Sequence, residues 1–299
     1  EIVTPVIIAP PDGAGIGGDV TYTPKTSDIT GVVTVDGGWS TPVSSGLPAS
    51  PGEITYSQEK NLFVCPTTDA RVIYSSDGIN WSQTTTPTGA SLQSSAYGKG
   101  KFVVAGMGFN YSPDGMTWSA GTVTNPGSSS DGSYSIVYAN NMFVAVGYKS
   151  QTGKSCFYYS SDGESWTASS SSGTYQSVAY GNSLFVAVGQ GQNPPAVSND
   201  GTNWTITSDA NYQYNGSIGF GNGLFVSCGF EMAKTSTDGV TWLSNTNLPN
   251  TTNLEWREVN FVNGKFIIVG YINTSSSPSV IYYSDDGITW SESSLTSTF

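Results

Sequence analysis

One eight-residue phrase is written six times along this chain, always as Ser-x-Asp-Gly-x-(Asn/Thr/Ser)-Trp after a small or aromatic residue. It runs Tyr74-Ser-Ser-Asp77-Gly78-Ile-Asn-Trp81, Tyr111-Ser-Pro-Asp114-Gly115-Met-Thr-Trp118 and Tyr159-Ser-Ser-Asp162-Gly163-Glu-Ser-Trp166. It continues as Val197-Ser-Asn-Asp200-Gly201-Thr-Asn-Trp204, Thr235-Ser-Thr-Asp238-Gly239-Val-Thr-Trp242 and Tyr283-Ser-Asp-Asp286-Gly287-Ile-Thr-Trp290. Subtracting the numbers of successive aspartates gives spacings of 37, 48, 38, 38 and 48 residues. A period near 40 that tolerates insertions of ten residues belongs to stacked supersecondary units, in the range of propeller blades.

The text between the boxes identifies the unit. Some 20 residues before each Trp stands an apolar run such as Phe102-Val-Val-Ala-Gly106, Phe143-Val-Ala-Val-Gly147, Phe185-Val-Ala-Val-Gly189, Phe225-Val-Ser-Cys-Gly229 or Phe266-Ile-Ile-Val-Gly270. Phe63-Val-Cys-Pro66 takes that place in the first unit, without the glycine. Such runs, bounded by turn residues, read as strands buried on both faces. A weaker strand precedes each across a Gly/Asn turn, as in Ser177-Val-Ala-Tyr180-Gly-Asn-Ser. Asn and Gly reach positive φ cheaply and mark hairpins. Each repeat therefore reads as four strands, A to D, with the Asp-Gly turn joining C to D and strand D starting at the Trp. The expected fold is all-β, a six-bladed β-propeller over residues 51–299.

The spelling of the box has a physical reason. Asp accepts hydrogen bonds from backbone N–H groups just ahead of it, Gly supplies unusual φ, and Trp is a large plate that can wedge between sheets. Metal ligation or catalysis is the other use of six carboxylates (Asp77, Asp114, Asp162, Asp200, Asp238 and Asp286). A catalytic group is needed once, however, whereas a structural device is needed in every blade. The structural reading is adopted, with no metal, no cofactor and no catalytic set.

On these residues the chain resembles the Asp-box, or bacterial neuraminidase repeat, of sialidase-like β-propellers, over roughly residues 53–294. That resemblance implies the propeller fold. For a sialidase it would also imply three arginines clamping the substrate carboxylate, a Tyr–Glu nucleophile pair and an Asp acid/base. The chain holds two arginines, Arg71 and Arg257, so that clamp cannot be built. Another glycoside hydrolase needs two paired carboxylates. Outside the boxes, Glu53, Asp69, Glu231, Glu255 and Glu258 are scattered over three repeats; the alternative enzyme reading, a tailspike-like polysaccharide-degrading activity, would use Glu231 and Glu258.

Composition narrows the partners. A net charge of −12 argues against nucleic acid, which demands cationic phosphate contacts. No apolar run is long enough to insert in a membrane. The three cysteines, Cys65, Cys156 and Cys228, read as buried thiols and not as a disulfide framework, and there is no histidine to act as base or pH switch.

Residues 1–50 read differently: Pro- and Gly-rich, extended, and starting at Glu1 as if processed. Asp12-Gly-Ala-Gly15 and Ser27-Asp-Ile-Thr-Gly-Val32 loosely resemble leaders of phage and cyanophage virion structural proteins. The segment is expected to be an arm that pairs with a blade edge. The alternative is a seventh, degenerate blade built on Asp36-Gly-Gly-Trp39, where the Trp comes one residue early.

The binding reading rests on aromatics at repeat-equivalent loop positions. Phe109, Tyr148, Phe230 and Tyr271 follow strand B; Tyr134, Tyr175, Tyr214 and Trp256 precede strand A, with Arg257 beside the last. Tyr among Ser, Gly and Asn suits recognition surfaces. The expected function is a non-enzymatic binding or structural module, extracellular or on a virion surface. One face would meet a glycan or protein partner, including other virion proteins.

Overall fold

The computed structural model describes residues 51–89, 91–124, 132–148, 157–169, 173–189, 193–208, 215–230, 232–245, 247–248, 254–272 and 279–293. Residues 1–50, and with them the arm and the degenerate seventh blade, lie outside the described residues. Every regular element among the described residues is a strand, and the strands form six sheets. Sheet 1 is Thr55–Ser57, Leu62–Pro66, Arg71–Ser75 and Ser82–Thr85; sheet 2 is Ser94–Gly98, Lys101–Gly106, Gly108–Ser112 and Ser119–Ala120. Sheet 3 is Gly132–Ala139, Met142–Tyr148, Phe157–Ser160 and Ser165–Ala168, with Thr122–Thr124 added outside as a fifth strand. Sheet 4 is Ser177–Gly181, Leu184–Val188, Ala196–Ser198 and Thr205–Ile206; sheet 5 is Asn215–Gly221, Leu224–Gly229, Met232–Ser236 and Leu243–Ser244. Sheet 6 is Leu254–Val262, Lys265–Ile272, Ser279–Ser284 and Ser291–Glu292. Sheets 1–3 belong to one compact unit, which ends at Gly173, and sheets 4–6 to another, from Thr174 on.

Strands A to D follow one another antiparallel in every sheet, as the repeat reading requires. Two details differ from expectation. Strand D begins after the Trp in five sheets, because the indole is the last residue of the turn and its plate leaves the ladder to pack on a neighbour. The fifth strand of sheet 3 was not foreseen; its three residues are too few to show a period.

The A–B hairpins turn on residues with positive φ, as at Asn222 (48°) and Gly223 (76°). These are the values a two-residue type I′ turn needs. The same asparagines reach outward: Asn222 Nδ2 donates to Asp285 O of sheet 6 at 2.9 Å, and Asn182 Nδ2 donates to Thr237 O of sheet 5 at 2.9 Å.

The box does two jobs. In sheet 5, Asp238 Oδ1 accepts from Val240 N (2.9 Å), Thr241 N (2.7 Å) and Ser236 Oγ (3.0 Å), while Ser236 Oγ accepts from Gly239 N (2.8 Å). The pattern repeats at Asp77, Asp114, Asp162, Asp200 and Asp286. Gly239 has φ of 69°, and a Cβ there would also strike Val186 and Leu184 of sheet 4. The turn is therefore pressed onto the preceding sheet, which the sequence reading had credited to the Trp alone.

The Trp does wedge between sheets. Trp118 packs with Leu62, Val64 and Val72 of sheet 1 and Leu92, Phe102 and Val104 of its own sheet. Trp166 does the same between sheets 2 and 3, Trp242 between sheets 4 and 5, and Trp290 between sheets 5 and 6. Burial of such plates on both sides supplies much of the apolar area that holds consecutive sheets together.

A second link joins the A strands. Ser94 Oγ accepts from Ile136 N (3.1 Å), Ser177 Oγ from Ile218 N (3.2 Å) and Ser217 Oγ from Val259 N (3.1 Å). The position recurs as Glu53, Ser94, Ser135, Ser177, Ser217 and Glu258, at intervals of 41, 41, 42, 40 and 41 by subtraction. The A strands thus keep an even register. The uneven spacing of the boxes comes from long B–C connections in sheets 3 and 6.

All six box carboxyls are held below their ordinary range. At Asp286 the N–H groups of Thr289 and Ile288 hold the carboxyl down to about 2. A group depressed in the folded state stabilises it above the unfolded value, about 3.9, and that contribution vanishes as pH falls through the folded value. Thermal melts against pH should therefore drop below about pH 4, the acid limb that the box carboxyls set. Glu258, whose buried carboxyl is raised, works in the opposite sense and costs stability as pH rises. No drop below about pH 4 would contradict this assignment.

Candidate functional site

In three of the sheets, the end where strand B stops and strand A starts is shaped by one irregularity. Strand A carries a β-bulge at Tyr134 in sheet 3, Gly216 in sheet 5 and Arg257 in sheet 6, one residue before the Ser/Glu position of the interstrand link. A bulge adds a residue to one strand and re-aims its neighbours. In sheets 3 and 6 the residue before the bulge, Ser133 or Trp256, is buried, and the bulge residue, Tyr134 or Arg257, is more exposed. This separates the nominated residues.

Tyr175 and Trp256 occupy the inward position, with Leu92 as their equivalent in sheet 2. They are 1% and 3% exposed and belong to the core. Trp256 sits among Leu254, Phe266 and Trp290, with its ring edge-on to Tyr282 at 5.5 Å. Tyr175 donates its hydroxyl to Pro194 O at 3.3 Å. Phe109 is also buried, stacked on Trp166 with centroids 3.8 Å apart. Its place after strand B belongs instead to Met107, which sequence reasoning missed and which is exposed. Phe109 lies two residues further on, inside the next strand, Gly108–Ser112, where alternation turns it to the core.

Tyr134 is half-buried at its bulge, and Tyr148 ends strand B of the same sheet; Tyr214 lies outside the described residues. In sheet 6 the equivalent pair is Arg257 and Tyr271, and here the residues do meet. The guanidinium lies over the Tyr271 ring, 5.0 Å from its centroid, and donates to Tyr271 Oη at 2.6 Å. Tyr271 Oη in turn donates to Glu255 Oε2 at 2.9 Å, and Arg257 pairs with the same oxygen at 3.0 Å. Phe230, 42% exposed at the end of strand B in sheet 5, is bridged to Glu255. The site is thus a guanidinium, 53% exposed, held on an aromatic ring and a carboxylate beside an exposed phenyl ring. A planar fork so oriented suits carboxylate or carbonyl oxygens.

Of the acids named for catalysis, Glu231 lies outside the described residues. Glu258 is half-buried in strand A of sheet 6, where it replaces the serine of other sheets, and Asn260 Nδ2 donates to it at 2.7 Å. Desolvation pushes its carboxyl up, against the Asn260 amide. Cys228 is driven well up by burial and then by Glu258, and burial lifts Cys65 to about 12, so both are inert thiols. Glu53 accepts from Ser94 Oγ and joins the links between A strands. Asp69 is bound to Arg71 and Thr67. Among the described residues no group of three or more His, Cys, Asp or Glu is placed to hold a metal ion.

No protein-family model and no curated protein matches the chain. Solved structures do. A structure of YCF48 bound to D1 peptide superposes with a TM-score of 0.59 at 17% identity, covering 82% of each chain. RRP9 WD40 repeats give 0.60 at 8% identity, over 83% of this chain and 80% of that one. The computationally designed Ika8 protein gives 0.56 at 11%, over 81% and 74%. At such identities the likeness gives the fold, and the fold is a β-propeller of four-stranded sheets.

Proposed function

We propose that the chain is a non-enzymatic binding module, acting outside the cell or on a virion surface, whose recognition residues stand at the strand-A bulges and strand-B ends. The observation that carries this reading is the Arg257–Tyr271–Glu255 cluster beside exposed Phe230. It is pre-organised, since both partners fix the guanidinium before any ligand arrives, which lowers the ordering cost of binding. Its chemistry favours a protein segment offering a carboxylate or backbone carbonyl next to an apolar side chain. That YCF48 has been solved with a peptide fits such a partner. A glycan stacked on the Tyr271 ring would use the same cluster. The box keeps its resemblance to the neuraminidase repeat, without sialidase activity.

A second reading has one observation behind it: Glu258, with its raised carboxyl, has the character of a general acid. Peptide and glycan arrays probed with the purified chain, followed by mass analysis of every hit, separate the two. Binding without product supports the module, and a shortened glycan supports the enzyme. Phe230→Ala and Arg257→Ala should each weaken a hit about tenfold, the cost of one good contact. An unchanged hit in both variants would place the site elsewhere.

A further inference from the structure

The position just before the Ser/Glu link reads Gly52, Gln93, Tyr134, Gln176, Gly216 and Arg257 along the six repeats. Two of these are glycines, and for Gly52 the reason is packing: a Cβ there would run into the backbone carbonyl of Gln93. Gly216 has no such reason. Its φ lies outside the left-handed region, and the one atom a Cβ would meet is Gln176 Oε1, at 3.2 Å. The bulge does not demand glycine either, since Tyr134 and Arg257 fill the same place in sheets 3 and 6. Glycine inside a strand weakens it, and one without a structural cause marks a place where another backbone comes close.

The neighbours of Gly216 are polar and lead to the cluster on sheet 6. On one side stands Gln176, half-buried, whose amide has no hydrogen-bond partner among the described residues. The links from Ser177 Oγ to Ile218 N and from Ser217 Oγ to Val259 N set the A strands of sheets 4, 5 and 6 side by side. On the other side Asn215 pairs with Gly229, Phe230 follows, and Phe230 is bridged to Glu255, which holds Arg257. Bare backbone therefore lies between an unpaired amide and a guanidinium. A Gln amide carries a donor and an acceptor together, the complement of the N–H and C=O that one residue of an extended strand turns the same way. Arg257 is already matched by Glu255, and the whole chain carries −12. It has donors to give and little net charge, which suits a main-chain carbonyl above a carboxylate.

We propose that Gln176, Gly216 and Arg257 form one recognition row for an extended, uncharged peptide segment, an assignment that rests on the binding function proposed above. Gln176 exchanges two hydrogen bonds with one peptide residue, and the peptide backbone crosses over Gly216. A carbonyl further along accepts from Arg257, and an apolar side chain rests on Phe230.

The probe is an array of end-capped hexapeptides without charged residues, each holding one Leu or Phe, with a glycan array beside it. The full chain should bind a subset of the peptides. Gly216→Val, which fills the bare position, and Gln176→Ala should each weaken a hit about tenfold, the worth of one or two hydrogen bonds. Gln176→Ala removes an amide that holds nothing in the fold, so it decides the matter even where Gly216→Val lowers the melting temperature. An N-methyl scan of the hit should find one position whose tenfold loss vanishes in Gln176→Ala, the mark of a direct pair. Peptide hits that keep their affinity in Gln176→Ala and lose it in Arg257→Ala overturn the row and leave the binding module standing, as do hits confined to glycans. No hit on either array, or hits indifferent to all three substitutions, overturns both.

Discussion

Replacing Trp166 by Ala is expected to lower the unfolding free energy by about 3–5 kcal/mol, the range for emptying a fully buried aromatic site. Three surfaces would lose their partner together. Phe109 stacks on one face at an interplanar angle of 7°, Phe143 lies 6.3 Å away, and the Val123 side chain of the fifth strand packs against the same cluster. Trp166 Nε1 also donates to Gly163 O at 3.2 Å. The comparison variant is Trp204→Ala. Trp204 is half-buried, keeps the same bond to Gly201 O, and should cost clearly less. Denaturant unfolding of the two variants checks the order. Equal costs would mean that the wedge between sheets contributes little beyond the turn itself.

The second large effect is expected at Gly189, which follows strand B of sheet 4. Its φ is ordinary, so the constraint is space. A Cβ at this position would run into the carbonyl oxygen of Thr174 and the backbone of Tyr175, where the incoming chain crosses. Backbone cannot step aside as a flexible side chain can. Gly189→Ala should therefore cost about 2–3 kcal/mol, the upper part of the overpacking range. Gly216→Ala is the contrast: its Cβ would meet chiefly the far end of Gln176, and the loss should stay within about 1 kcal/mol. Melting both variants beside the parent chain decides the matter.

These two positions show what could be read from residues and what could not. The six boxes, the apolar B runs and the Asn/Gly hairpins each follow a local rule, so strand order and sheet count were legible before any coordinates. The Gly closing strand B was visible as a pattern, but its cause was not, because the chain that crosses it is some 15 residues away in sequence, as Gly189 is from Thr174. The same limit hid the burial of Tyr175, Trp256 and Phe109, and the bulge before Glu258, which shifts facing by one residue, leaves no compositional trace. Arg257 and Tyr271 stood on the sequence as separate candidates, and that they meet, with Glu255 orienting both, shows only in the fold. Glu258 illustrates the converse. Its meaning lay in the even spacing of the A strands, a signal present in the numbering but hidden by the uneven spacing of the more conspicuous boxes.

The boxes are structural, and the proposed recognition residues stand at the bulge end of sheet 6. The measurement that separates these roles is ligand affinity, taken on folded protein, for Asp200→Ala beside an Arg257→Ala, Phe230→Ala double variant. Asp200 Oδ1 accepts from Thr202 N and Asn203 N, both at 2.8 Å, so its removal should lower the melting temperature. It should leave affinity for an array hit unchanged, while the double variant melts like the parent chain and loses binding about a hundredfold. The opposite result, binding lost with Asp200 and kept without Arg257 and Phe230, would contradict the account at its centre.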